Sequence, residues 1–373
     1  MRSNILTWVQ LDITARCQAS CLECSRNIDG GELNPQIGKA NTWDLPLDVI
    51  KKFITPDMLK GNNLKNIEFN GNFGDPCIHP NLIGILTYII NNNDKIAIKL
   101  NTNGAMFNDE YWIKLANILK CYENNEVVFA VDGLEDTHHI YRRNTKYQDV
   151  INHAKAFINA GGKAVAQFIE FEHNSHQIDE WEKRMKDIGF HEIKVRRSRV
   201  STHIINSANK DYKLTGKANK KQEQYNVELP YESESYIKVK EIMNKQLGKS
   251  KDSELTQDDM DTLMDIVPIT CTPYETKGLY LEYDGTVNMC CYLGDQHKNH
   301  NFKKRDEWNT KIYSRYGKDF NSLHYHSLEE ILSHDYFTNY LQNSWKCTTN
   351  DKNTPRLKQC SKMCGVWYER PIS

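Results

Sequence analysis

No stretch of the chain is apolar for long enough to cross a bilayer. The longest such run, Leu82 to Ile90, is broken by Gly84, Thr87 and Tyr88, so no transmembrane segment is expected. No charge of one sign dominates either. Lysine plus arginine (48) nearly balance aspartate plus glutamate (49), which removes the global basic field that would attract nucleic acid or an anionic membrane, and neither is expected as a partner. Local basic stretches such as Lys194 to Arg199 read as a solvated strand end or an anion contact. A basic-then-apolar leader is missing before Cys17. Combined with eleven cysteines, this points to a reducing compartment, the cytoplasm, where thiolates serve as metal ligands.

The 373 residues are 39% apolar, enough to supply cores for one large domain and a smaller one. From residue 7 to about 200, short β-branched runs alternate with helical-period segments, the pattern of consecutive parallel βα units. The expected strands are Trp8 to Ile13, Asn66 to Asn70, Ile96 to Asn101, Val127 to Asp132, Ala164 to Glu170 and His191 to Arg196. Between them lie amphipathic stretches such as Leu82, Ile85, Leu86 and Ile89, or Trp112, Leu115, Ile118 and Leu119, whose apolar stripes read as core. Gly161-Gly162 and Gly189 supply helix stops. The sequence divides into a core over 1–205, a polar helical linker or insertion over 206–265 (Lys217 to Gln224, Lys238 to Asp261), and a cysteine-bearing segment over 266–373. A lid is the alternative for the linker, but such composition more commonly makes a solvated face.

Cys17, Cys21 and Cys24 stand in C-x3-C-x2-C spacing at the end of the first strand. A 4Fe-4S cluster is normally held by four thiolates, so a loop offering three leaves one iron open to another ligand. Zinc loops usually begin with a C-x2-C pair instead. The triplet resembles that of the radical S-adenosylmethionine (radical SAM) enzymes. The resemblance implies an α/β fold, a partial (β/α)6 barrel with the active site at the carboxyl ends of its strands. It further implies a 4Fe-4S cluster on Cys17, Cys21 and Cys24, S-adenosylmethionine as cofactor, a reductant such as flavodoxin or ferredoxin, and chemistry that belongs to the cofactor. The aromatic residue usual in that family before the third cysteine is here Glu23.

Three later loops carry the same resemblance in the family's order. Gly71 to Pro76 looks like the glycine-glycine-acid-proline loop, with Gly74, Asp75 and Pro76 matching its last positions; glycine lets backbone approach a ligand, and Asp75 with nearby carbonyls would meet the methionine amino group. Asn101 to Gly104, with Asn103, resembles the threonine-asparagine-glycine segment, and Val131 to Gly133, with Asp132, the serine-x-aspartate-glycine segment, its serine replaced by Ala130. His139 and Arg142 stand where the family often has a histidine and an arginine. Arg142 or Arg143 would pair with the methionine carboxylate, the alternative being a surface arginine at a helix start.

The last third holds Cys271, Cys290, Cys291, Cys347, Cys360 and Cys364, with a strand-turn-strand reading over Gly278 to Tyr283, Asp284-Gly285 and Thr286 to Met289. This resembles the start of the SPASM and twitch modules, and implies a small α+β domain. The full SPASM set is not there, so one auxiliary 4Fe-4S cluster is expected on Cys271, Cys290, Cys360 and Cys364, with Cys347 as the competing ligand for either of the last two and Cys291 a bystander; structural zinc on the same residues is the alternative. Cys77 and Cys121 read as ordinary buried thiols.

Hydrogen abstraction followed by oxidation, epimerisation or decarboxylation of a small polar metabolite is the leading expectation. A peptide-modifying maturase is the second, disfavoured by the sixteen residues before Cys17, and a non-catalytic iron-sulfur or zinc protein the third. Gln10, Asp12, Gln167, Glu170, Glu172, His173 and Arg196 are expected to face the barrel, each equally readable as a satisfied polar group at a strand end.

Overall fold

The structure is a computed structural model that describes residues 2–22, 24–28, 31–197, 214–218, 223–227, 234–298 and 302–365. Its centre is an eight-stranded sheet. Numbered along the chain, the strands are β1 (Trp8–Leu11), β2 (Asn66–Phe69), β3 (Ala97–Thr102), β4 (Glu126–Ala130), β5 (Ala164–Glu170), β6 (Glu192–Arg197), β7 (Gly278–Leu281) and β8 (Val287–Asn288). Their spatial order is β8-β7-β1-β2-β3-β4-β5-β6, and every neighbouring pair is parallel except β7 with β8.

Period-two alternation gives the sheet two unlike faces. Val9, Leu11, Ile67, Phe69, Ile98, Leu100, Val127 and Phe129 are buried in the main core. Helices cover that face: α1 (Leu47–Phe53), α2 (Leu82–Asn92), α3 (Asp109–Leu119), α4 (Tyr147–Asn159) and α5 (Ile178–Ile188). In α2 the buried residues are Leu82, Ile85, Leu86 and Ile89, the spacing of a single helical stripe. Asn108 caps α3 by accepting from the Tyr111 N–H at 3.2 Å, with Asp109 and Glu110 in the first turn beside the positive end of the helix dipole. Gly189 ends α5 in the left-handed conformation (φ 100°) that a side chain disfavours. The parallel βα order over the first two hundred residues therefore agrees with the sequence, with strand ends shifted by one or two residues.

Two features depart from the sequence reading. The C-terminal hairpin forms, but β7 adds to the main sheet alongside β1, in register Trp8 with Gly278 through Leu11 with Leu281. Within 206–265, where only helix was expected, Leu214–Ala218 pairs antiparallel with Glu223–Val227 ahead of α6 (Glu234–Gln246) and α7 (Gln257–Ile266). Methionines supply much of its apolar anchoring: Met243, Met260 and Met264 are buried with Leu263 and Val267. Ser361 donates to the Met264 carbonyl at 2.6 Å, and Arg356 donates to the Val267 carbonyl at 2.9 Å, fixing the end of α7 to α8 (Lys358–Cys364), the last helix among the described residues, and to the segment just before it. No helix among the described residues is long and apolar enough to cross a membrane.

Candidate functional site

The loop after β1 carries the cysteine triplet. Cys21 is buried and Cys17 and Cys24 are partly so, around a small apolar cluster of Ala19, Leu22, Tyr141 and Phe171. Burial pushes all three thiols up, Cys24 to about 11, and Cys21 and Cys24 each raise Cys17 further. Three buried thiols, of which Cys17 and Cys24 are raised further by neighbouring cysteines, are a poor arrangement for free thiolates and a suitable one for a polycation that all of them ligate. The donor set therefore fits an iron cluster. Glu23 lies outside the described residues.

Polar groups reach two of the sulfurs. Asn103 donates to Cys17 Sγ at 3.6 Å and exchanges hydrogen bonds with the Gln18 amide. Arg142 donates to Cys21 Sγ at 3.7 Å while its Nε pairs with Asp132. Asp132 has no exposed surface, and its other oxygen accepts from the Ile169 N–H at 2.6 Å. In this arrangement Asp132 orients Arg142. His139 lies one residue past the buried His138, in the short helix His138–Tyr141.

Asp75 is likewise held by hydrogen bonds within the protein. Its carboxylate accepts from Thr102 Oγ1 (2.9 Å to each oxygen), the Asn103 N–H (2.7 Å) and the Cys77 N–H (3.0 Å), joining the loops after β2 and β3. Pro76, buried, begins the 3-10 turn Pro76–Ile78 that Asp75 caps. The glycine requirement at Gly74 also differs from the expectation. A Cβ there would sit 2.1 Å from the Thr14 carbonyl oxygen and 2.9 Å from the Ala15 carbonyl carbon, so the close approach is to the chain's own backbone at the end of β1. Ala130 is buried.

The second cysteine group assembles from three segments. Cys271 precedes the short helix Thr272–Glu275, Cys290 precedes Cys291–Gly294, and Cys360 and Cys364 stand one turn apart on α8. The hydrogen bond from Cys364, then burial, raises the Cys271 thiol, while burial first and the neighbouring thiols second raise Cys290 and Cys360, the latter to about 12. Cys347 Sγ donates to the Asn343 carbonyl at 3.4 Å. Cys77 is buried as expected, but Cys121 is exposed because it falls just beyond the end of α3.

Sequence reasoning missed the residues that tie the two groups together. Asn72 accepts from Cys24 Sγ at 3.8 Å, and its side-chain amide donates to Tyr280 Oη at 3.3 Å and to the Cys291 carbonyl at 3.4 Å. Beside it, the buried Lys298 ammonium donates to Glu282 at 2.6 Å and Asp284 at 2.5 Å, meets His297 Nε2 at 2.8 Å, and lies 4.7 Å from the Tyr283 ring centre. Glu282, Asp284 and His297 are close enough to share a metal ion, and here an ammonium takes that place. No local signal marks these residues, since acidic and basic side chains around a hairpin read as surface.

The remaining expected residues divide by depth. Gln10 and Asp12 are buried, Gln167 and Glu170 half-buried, Glu172 and Arg196 exposed. Burial raises the Asp12 carboxyl well above its ordinary range, and one of its oxygens accepts from the Phe73 N–H (3.2 Å) and from Tyr280 Oη (3.3 Å). His173 stacks on Phe171 at 5.4 Å and is pushed down to about 4 by burial.

Solved structures of similar architecture bind S-adenosylmethionine. They include anSMEcpe with bound AdoMet (13% identity, TM-score 0.52, covering 96% of this chain and 91% of that one). SuiB of Streptococcus suis bound to its precursor peptide SuiA is similar at 11% identity and TM-score 0.52, covering 96% and 71%. This chain shares their fold. A further SuiB structure, bound to S-adenosylmethionine, matches at 13% identity and TM-score 0.48 over 78% of this chain, which spans 61% of that protein's length. No family model and no curated protein matches the sequence.

Proposed function

We propose that this chain is a radical SAM enzyme acting on a small polar substrate in the cytoplasm. The observation that carries the reading is the triplet Cys17, Cys21 and Cys24 after β1, with Asn103 on one sulfur and Arg142 on another. A 4Fe-4S cluster with S-adenosylmethionine would supply a 5′-deoxyadenosyl radical that abstracts hydrogen from the substrate. The residues do the holding: the three thiolates bind iron, Asn103 donates to the Cys17 sulfur, and Arg142, oriented by Asp132, tempers the charge on Cys21. Cys271, Cys290, Cys360 and Cys364 would hold a second, auxiliary cluster able to accept the electron left on the substrate after hydrogen abstraction, while flavodoxin or ferredoxin would supply the electron that cleaves S-adenosylmethionine. A peptide substrate is the second reading, favoured by the fold shared with SuiB bound to SuiA.

The test is anaerobic iron and sulfide analysis with electron paramagnetic resonance, for the intact protein and for Cys17→Ala/Cys21→Ala/Cys24→Ala, each with S-adenosylmethionine. About eight irons are expected to fall to about four in the variant, with a cofactor-induced spectral change only in the intact protein. No cofactor response in the intact protein would refute the reading.

A further inference from the structure

The face of the sheet turned away from the helices carries a charged layer. In register across the strands stand Tyr280, Gln10, Glu68, Lys99 and Glu126. Lys99 Nζ lies 3.9 Å from Glu68 Oε1 and 3.8 Å from Glu126 Oε1, and Asn101 donates to Glu68 Oε1 at 2.9 Å. Glu192, on the same face, also feels Lys99 and pairs with Lys194 at 2.9 Å, so three carboxylates face two ammoniums and one negative charge is left over. These side chains keep contact with solvent, at 33%, 31% and 17% for Glu68, Lys99 and Glu126. Gln10, between Tyr280 and Glu68, is only 8% exposed, and its amide has no hydrogen-bond partner among the described residues. An amide that the protein leaves unpaired beside an open acidic layer can serve as a recognition group.

The same face leads to the cysteine loop. Lys99, Asn101 and Asn103 follow one another on alternate positions of β3 and its extension, and Asn103 touches the Cys17 sulfur. At about 3.3 Å per residue, each step is roughly 7 Å, so the charged layer lies roughly 13 Å below Asn103. We propose that this layer is the substrate site and that it takes a small amine: Glu68 and Glu126 receive the ammonium group, while Gln10 in the same layer and Asn101 one step nearer the cysteine loop hold hydroxyl or carbonyl groups. This rests on the radical SAM reading for the chemistry, though not for the binding. Lys99 sets specificity by repelling a second cationic group and holding the two carboxylates in position.

Three probes of equal length separate the terminal groups: 4-aminobutanol, 1,4-butanediol and 4-hydroxybutyrate. Titration calorimetry on the reconstituted protein with S-adenosylmethionine present is expected to give at least tenfold tighter binding of 4-aminobutanol than of the diol, and weaker binding of the carboxylate. In Glu68→Gln/Glu126→Gln, which should keep its circular dichroism and its S-adenosylmethionine binding, the amine preference is expected to shrink to less than about twofold. Equal binding of amine and diol, undetectable amine binding, or a preference that survives in the double variant overturns the proposal. Amine preference without S-adenosylmethionine binding would overturn the enzyme reading alone.

Discussion

At the scale of single residues, His138 has its protonation state fixed by its partners. Its Nδ1 accepts from the Asp132 N–H at 3.2 Å, and its Nε2 lies 2.9 Å from Thr145 Oγ1, whose own hydrogen goes to the Arg142 carbonyl. Only the neutral ring with hydrogen on Nε2 satisfies all three. Burial, with Arg142 nearby, pushes the imidazole down to about 3. An unfolded histidine titrates near about 6.5, so below that pH the unfolded chain takes up a proton that the folded one refuses. The histidine's contribution is complete above pH about 6.5 and is lost as pH falls toward about 3. Urea unfolding of the apo-protein at pH 7 and pH 5 should cost the native sequence about 2 kcal/mol more stability than His138→Gln, the other groups cancelling. Equal losses in both proteins would show that His138 does not stay neutral.

At the scale of elements, the loops after β1, β2 and β3 are locked to one another, and Gly74 is the closest point of that lock. Its missing Cβ faces backbone atoms of Thr14 and Ala15 that cannot swing aside as a side chain would. Gly74→Ala should therefore cost about 1–3 kcal/mol, the usual penalty for overpacking, and also lower iron retention by displacing the cysteine loop. Thermal unfolding with iron analysis checks both, and an unchanged melting temperature would mean the loops yield freely. The loops were legible because their motifs recur in fixed order at strand ends. The direction of Asp75 was not, since a motif gives an acid's position but not whether backbone N–H groups have already claimed it. Asn72 and Lys298 were hidden for a related reason: their partners are some two hundred residues away or lie across a hairpin.

At the scale of the whole molecule, the parallel strands were readable from alternation and apolar runs, whereas the partner of β1 on its outer side was not. Pairing Trp8–Leu11 with Gly278–Leu281 closes a loop of some 270 residues, and no local pattern announces it. That pairing alters what the C-terminal third is. Leu279 and Leu281 belong to the same buried core as Val9 and Leu11, together with Trp308, Ile312 and Tyr336. A fragment ending at residue 265 would leave the outer edge of β1 without its hydrogen-bonding partner and uncover apolar surface in the centre of the sheet. We expect that fragment to lack cooperative urea unfolding and to leave the β1 amides unprotected in hydrogen exchange, although all six strands of the expected barrel are present in it. Cooperative unfolding of 1–265 with protected β1 amides would instead make the cysteine-bearing segment an independent domain docked on a finished barrel. The register across β1 and β7, with the shared core beneath it, argues for one folding unit that carries both cysteine groups.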